Sequence, residues 1–382
     1  MSTNAIQSND LPAPKKLKIR RLGNPLNIAS ARKELGIFFV LLLVCIGTGV
    51  KNPAFLSADN LQNLARMIGI YGIFSIGAGI VIITGGIDLS VGSMLAVEGV
   101  VLAMALNDGW IISKLHALNL FGWHFVNPIM VIVVAVVLLT MMLGVIHGFL
   151  ITKVPLQPFI VTLCGLLIYR GLARFISGDS TEGFGTSAGY TGLMNLASGS
   201  FQLPTFILHL GARNLAFTPL AIPNPFIVML VIAVVMWVVI HRSIYGRYLF
   251  AVGRNEEAAK YSGIKSSRIV ASAYVVAALL TAIAGILLAF YTNSISPSSH
   301  GQSYELYGIA AAVVGGCSLR GGEGSVIGVL IGTALLQVLH NMVNLLGIPS
   351  SLDLAVVGTV ILIGVTADEI VKKRAAKNAI AK

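Results

Sequence analysis

Asp88 and Glu98 are carboxylates set within otherwise apolar stretches of this chain, and they are the first residues whose position suggests chemistry. An acid in such a setting is costly unless it is paired, neutral or facing water, which makes a functional role the first reading. Ten residues separate the two, about 15 Å at helical rise, so they would sit at different depths along one path. Together they suit a proton relay. Singly, each has a plainer role: Asp88, with Ser90, can cap the helix that follows, and a protonated Glu98 can bond a neighbouring helix. Hydroxyl and amide groups at Asn293, Ser294, Ser303, Gln337 and Asn341 are candidate liners for a polar solute.

Other chemistry is absent. No Gly-Lys dipeptide occurs, so the phosphate cradle GxxxxGK[ST] is missing and any ATP hydrolysis must come from another chain. Thr84-Gly85-Gly86 and the run from Gly315 to Gly322 lie between helices, where close packing and turns are the plain reading. Cys45, Cys164 and Cys317 form no CxxC pair, and no histidines have ligand spacing with a nearby carboxylate. A membrane-embedded enzyme would want paired catalytic groups at one depth, and no such cluster is present.

The segment 242–268 is more informative. Asn255 can cap a short helix, Glu256 and Glu257 favour its first turn, Ala258 and Ala259 extend it, and Gly263 stops it. Such a helix outside the membrane is either a peg for another protein or a surface helix that tidies a loop.

Apolar residues make up 56% of the 382 positions and charged ones 11%, well below the roughly one in four of soluble domains. Runs such as 131–139 are apolar at consecutive positions, which excludes the alternation of a barrel. The expected fold is an all-α polytopic membrane protein with about ten spans, near 35–50, 67–84, 89–106, 128–152, 154–169, 226–240, 269–290, 306–317, 326–346 and 354–366. Several are short enough to be tilted or broken.

The net charge of +11 is clustered in three segments too short to build a nucleic-acid-binding domain, so no nucleic acid partner is expected. With both termini cytoplasmic, 20 of the 26 basic residues fall inside and six outside: Lys51, Arg66, Lys114, Arg170, Arg174 and Arg213. Residues 1–32 read as a disordered basic tail without a cleaved signal, 33–371 as the transmembrane domain, and 372–382 as a second basic tail. Trp110, Phe121, Trp123 and Phe125 suit an outer aromatic belt or a loop patch. The stretch 171–225 is the longest outer connection.

Glu257-Ala258-Ala259 followed by Gly263 resembles the EAA-x-x-x-G loop of ABC importer permeases. The segment Ile83-Thr-Gly-Gly-Ile-Asp-Leu-Ser-Val-Gly-Ser-Met94 resembles the signature of permeases for ribose, xylose, arabinose and related monosaccharides. Pro158-Phe-Ile-Val-Thr-Leu163 with Arg170-Gly171, Gly246-Arg-Tyr-Leu-Phe-Ala-Val-Gly253, and Gly315-Gly316 through Gly328 follow in the same order. His147-Gly148 stands where Asn-Gly is usual, and the stretch after Gly178 is longer than usual.

The resemblance implies a type II-like importer bundle in the bacterial inner membrane, without catalytic residues or a cofactor of its own. It implies a second permease subunit, either an identical copy or a close paralogue, and a periplasmic sugar-binding protein. It also implies a cytoplasmic ATPase with tandem nucleotide-binding domains that holds ATP and Mg. Asn255, Glu256, Glu257, Ala258, Ala259 and Gly263 would couple that ATPase to transport of a monosaccharide or related polyol. A proton-coupled carrier using Asp88 and Glu98, or an importer of nucleosides or other small solutes, is the alternative.

Overall fold

The computed structural model describes residues 28–107, 127–184, 190–202, 207–210, 213–216, 221–356, 358–359, 362–363 and 366. Helix α1 (Ile28–Lys51) leads through a 3-10 turn into α2 (Ala58–Ile83), followed by α3 (Val91–Asn107), α4 (Pro128–Thr152) and α5 (Pro158–Ile176). A short α6 (Thr191–Ser198) precedes α7 (Asn224–His241), α8 (Ile244–Arg254) and α9 (Glu256–Tyr261). The chain continues through α10 (Ser266–Thr292), α11 (Tyr304–Val314) and α12 (Val326–Leu345).

Local signals set most boundaries. Proline opens α4, α5 and α7, where its missing N–H costs nothing. Asn127 and Ser57 cap α4 and α2 through their side chains. The Ser57 cap starts α2 nine residues before the apolar run at 67, because Asp59, Asn60 and Asn63 are polar but helix-compatible. Pro155 and Pro158 delay α5 relative to the span expected from 154, and α5 then runs on to Ile176.

Among the described residues, seven helices are long and apolar enough to cross a membrane. Two of the expected ten spans are instead short: α3 has 17 residues and α11 has 11. At 1.5 Å per residue, α11 covers only about half of a roughly 30 Å hydrocarbon layer. The tenth span, 354–366, lies only partly within the described residues.

Helices α2 and α10 form the centre and are buried over most of their lengths, whereas α1, α4, α5 and α7 are buried over a third of theirs or less. The exposed surface is leucine, valine, isoleucine and phenylalanine, as a lipid-facing shell requires. Small residues bring the central helices together: Gly77 of α2 lies against the Ala277 backbone of α10, and Gly144 and Gly148 of α4 lie against Ala278 and Ala271.

Two corrections apply. The all-α expectation holds for the bundle, but the connection before α7 contains four short strands: β1 (Ser200–Gln202), β2 (Ile207–Leu210), β3 (Arg213–Ala216) and β4 (Ala221–Pro223). They pair antiparallel as β1 with β4 and β2 with β3, satisfying backbone groups in pieces too short for a helix. The expected N-terminal tail also overlaps α1, whose backbone is helical from Ile28. Residues 1–27, the 372–382 tail and the aromatic residues between Trp110 and Phe125 lie outside the described residues.

Candidate functional site

Helix α9 is the expected short helix, and its ends are built as the sequence suggests. Asn255 Oδ1 accepts from the Ala258 backbone N–H at 2.9 Å. At the other end Gly263 N–H donates to Lys260 O and Ile264 N–H to Ala259 O, with Gly263 at φ 82. This paired pattern closes a helix when the residue after the cap is left-handed, which glycine does without strain.

Glu256 forms an ion pair with Lys260 at 2.8 Å and accepts from Ser266 Oγ at 3.0 Å, tying α9 to the start of α10. Lys260 beside it holds the Glu256 carboxyl below its usual range. Glu257 and Ala258 face outward, Ala259 is buried, and Tyr261 projects with 92% of its surface exposed. Neither Lys260 nor Tyr261 belongs to the sequence motif that marks the loop.

The glycine-rich segments meet at the base of this loop. Gly322 N–H donates to Ile83 O at 2.8 Å. A Cβ on Gly253 of α8 would lie 1.8 Å from Ile83 O and 2.6 Å from Gly322 N, and one on Gly321 would press on Gly253 O and Gly85 N. Gly85, Gly321 and Gly322 all have positive φ. Three segments far apart in sequence are therefore in backbone contact, an approach only glycine allows. Packing is the correct plain reading of these glycines, but what they pack is the α8–α9 loop onto the turn after α2.

That turn leads to Asp88. Its Oδ1 accepts from the Ser90 backbone N–H at 2.9 Å and from Ser90 Oγ at 2.6 Å, just before α3 begins. Asp88 thus shapes the approach to α3, in keeping with the capping role. Thr162 of α5 donates to Ile87 O at 3.1 Å on the same turn, and Tyr169 OH meets His147 Nε2 at 2.9 Å nearby, with Tyr274 edge-on to the imidazole. A Cβ on Gly86 would fall 2.4 Å from Tyr274 OH.

The two short helices meet at their N-termini. A Cβ on Gly92, in the first turn of α3, would lie 2.2 Å from both Gly301 O and Glu305 Oε2, the latter in the first turn of α11. Arg170 of α5 fastens this junction: Nη1 donates to Pro297 O at 3.0 Å and His300 O at 2.7 Å, and Nη2 to Gly92 O at 3.2 Å. The segment between α10 and α11 is bounded by left-handed Asn293 (φ 49) and Ser303 (φ 66). The ten-span reading counts Arg170 among the six basic residues on the outer side, a placement that concerns the membrane face and not the direction of the side chain. Its side chain points into the protein, to three backbone carbonyls, with Glu305 in electrostatic reach.

Glu98 is fully buried in α3 and faces α10, where a Cβ on Gly285 would lie 2.6 Å from its Oε2. Among the described residues it shares no hydrogen bond with Asp88. The other candidate liners are dispersed. Asn293, Ser294 and Ser303 belong to the α10–α11 segment, and Gln337 is buried in α12. Asn341 exchanges two hydrogen bonds with Asn60 of α2. Sequence reasoning marks Arg170 and His147 only as motif positions and does not single out Glu305, Tyr169 or Tyr274, although a glutamate bordering an apolar run is a signal for Glu305. No metal-binding cluster is present among the described residues.

A bundle of long apolar helices with two short ones meeting at their N-termini and a capped helix at one end is the architecture of a multi-pass membrane protein. The chain belongs to the family described as branched-chain amino acid transport system/permease component, which matches residues 60–365. It is 38% identical over 337 residues to the ribose import permease of Bacillus subtilis, covering 88% of this chain and 92% of that one. The Escherichia coli ribose import permease is 33% identical over 88% of this chain and 93% of its own length. The xylose transport system permease of Escherichia coli is 29% identical over 96% of this chain and its full length. No solved structure matches the chain. The protein is thus the membrane translocation subunit of an ATP-driven importer, not an enzyme, and works with a separate ATPase and a substrate-binding partner.

Proposed function

We propose that this chain carries a monosaccharide of the ribose, allose or xylose kind across the bacterial inner membrane by alternating access. Its relatives named for those sugars support the substrate class. The mechanism rests on one observation, the glycine junction where α8, the turn after α2 and the 315–325 loop touch through backbone atoms. ATP-driven displacement of an ATPase subunit moves α9. The Gly253–Ile83 contact passes that motion to the Asp88 turn and so to the start of α3, where it meets α11.

In this reading Asn255, Ala259 and Gly263 hold the shape of the peg, Glu256 fixes it to α10, and Glu257, Ala258 and Tyr261 meet the ATPase. The 242–268 loop and both termini are cytoplasmic, and the α6–β4 connection faces the periplasmic binding protein. A second permease copy completes the path. Asp88, Ser90 and the segment from Asn293 to Ser303 border it, and Glu98 lies beside it.

Uptake of labelled ribose, allose and xylose into proteoliposomes containing the permease, its ATPase and its binding protein tests this. Uptake is expected to require ATP. Glu257→Lys is expected to lose both the ATPase on co-purification and uptake. Sugar accumulation driven by a proton gradient without ATP would overturn the proposal.

A further inference from the structure

A groove of about 290 Å³ opens between α7 and α12, and none of its lining residues belongs to the glycine junction or the α3–α11 meeting point. Leu230, Val234 and Trp237 form one wall and Val326, Ile327 and Leu330 the other. Leu230, Val234 and Ile327 are well exposed, so the groove is open on the apolar outer surface of this chain. Its volume is at the lower limit of small-molecule pockets, roughly 300–1,000 Å³, and its walls offer nothing to orient a hydroxylated solute. It suits a length of alkyl chain.

One end of the groove carries a positive charge. Arg242, the residue after α7, stacks its guanidinium over the Trp237 ring at 5.1 Å. His241 lies beside Trp237 and accepts from the Val326 backbone N–H at 3.5 Å, bringing the ends of the two walls together there. Glu34 of α1 is within electrostatic reach of His241, so attraction for an anion at this end depends on Arg242 itself. Arginine forks onto phosphate oxygens, and a cation stacked on an aromatic ring is held in place to do so.

We propose that this groove is a binding site for an anionic phospholipid from the leaflet at the α8 end of the bundle. One acyl chain lies between α7 and α12, and the phosphate of the headgroup meets Arg242. Charge at the groove end selects the headgroup, and the apolar walls hold the chain in one place, which distinguishes it from the exchanging lipid around α5.

The test uses the full chain in nanodiscs of phosphatidylcholine with a minority of dibrominated lipid, and reads quenching of Trp237 as the difference between the protein and its Trp237→Phe variant. Brominated phosphatidylglycerol is expected to quench about fivefold more effectively than brominated phosphatidylcholine of the same chains, the preference one basic residue gives at a membrane surface. Arg242→Gln should abolish the preference, Arg242→Lys should keep most of it, and Val234→Trp should exclude both lipids by filling the groove. Equal quenching by the two headgroups, or a preference that survives Arg242→Gln, would overturn the proposal. So would absence of quenching by either lipid together with crosslinking of a Val234→Cys variant to a second copy, since a protein interface would then cover the groove.

Discussion

Arg170 of α5 donates to the carbonyl of Gly92 at 3.2 Å while the same guanidinium holds the carbonyls of Pro297 and His300, so one side chain fastens the start of α3 to the segment that leads into α11. Arg170→Ala strips a charged donor from three carbonyls and should cost about 2–4 kcal/mol. A lowered thermal midpoint in detergent and lost uptake are expected. Arg170→Lys keeps the charge without the fork and should recover stability better than transport. Wild-type uptake by Arg170→Ala would show that the junction is held by other means.

Gly253→Ala would place a methyl group 1.8 Å from Ile83 O. Overpacking of this kind costs roughly 1–3 kcal/mol, relieved here by pushing α8 away from the α2 turn. The ATPase should still bind, because α9 is untouched, but transport per ATP hydrolysed should fall. Gly171→Ala, which meets open space, is the matched control and should transport normally.

Gly285 makes the room that Glu98 occupies. Gly285→Ala is expected to destabilise the protein, and combining it with Glu98→Ala should recover much of the loss. Thermal denaturation of the two single variants and the double variant should give an interaction energy of roughly 0.5–3 kcal/mol. Strict additivity would mean that the two sites do not press on each other.

Glu256 supplies a pH dependence. Its carboxyl is held below the usual range chiefly by Lys260, so its contribution is present above the ordinary carboxylate pKa and is lost as pH falls through the lowered value. Hydrogen-exchange protection over 255–264, taken relative to intrinsic exchange at each pH, should therefore be highest at neutral pH and fall on acidification below about pH 4.3, the ordinary glutamate value. Glu256→Gln should exchange faster at neutral pH and respond little to acid.

Features governed by near neighbours were legible in the sequence. The α9 peg could be read residue by residue because Asn255 and Gly263 act within one turn of the groups they satisfy. The apolar runs located the long spans, though the Ser57 cap and Pro158 moved boundaries that hydropathy alone could not place. Relationships between distant residues were not legible. Nothing around Glu98 points to Gly285, and nothing around Arg170 shows that it turns inward to Gly92. The runs at 89–106 and 306–317 look like ordinary spans because composition does not record where a helix starts in depth. The strands of the outer connection escaped notice for a related reason, since three or four residues carry too little pattern to register.

The contact among Gly85, Gly253 and Gly321 is made by main chain alone. Side chains can swing between rotamers and absorb a push, but peptide planes in direct contact yield only by bending dihedral angles. In the proposed cycle a displacement of α8 therefore reaches the turn after α2 with little lost motion, and residues elsewhere in the bundle could change from one relative to another without retuning that drive.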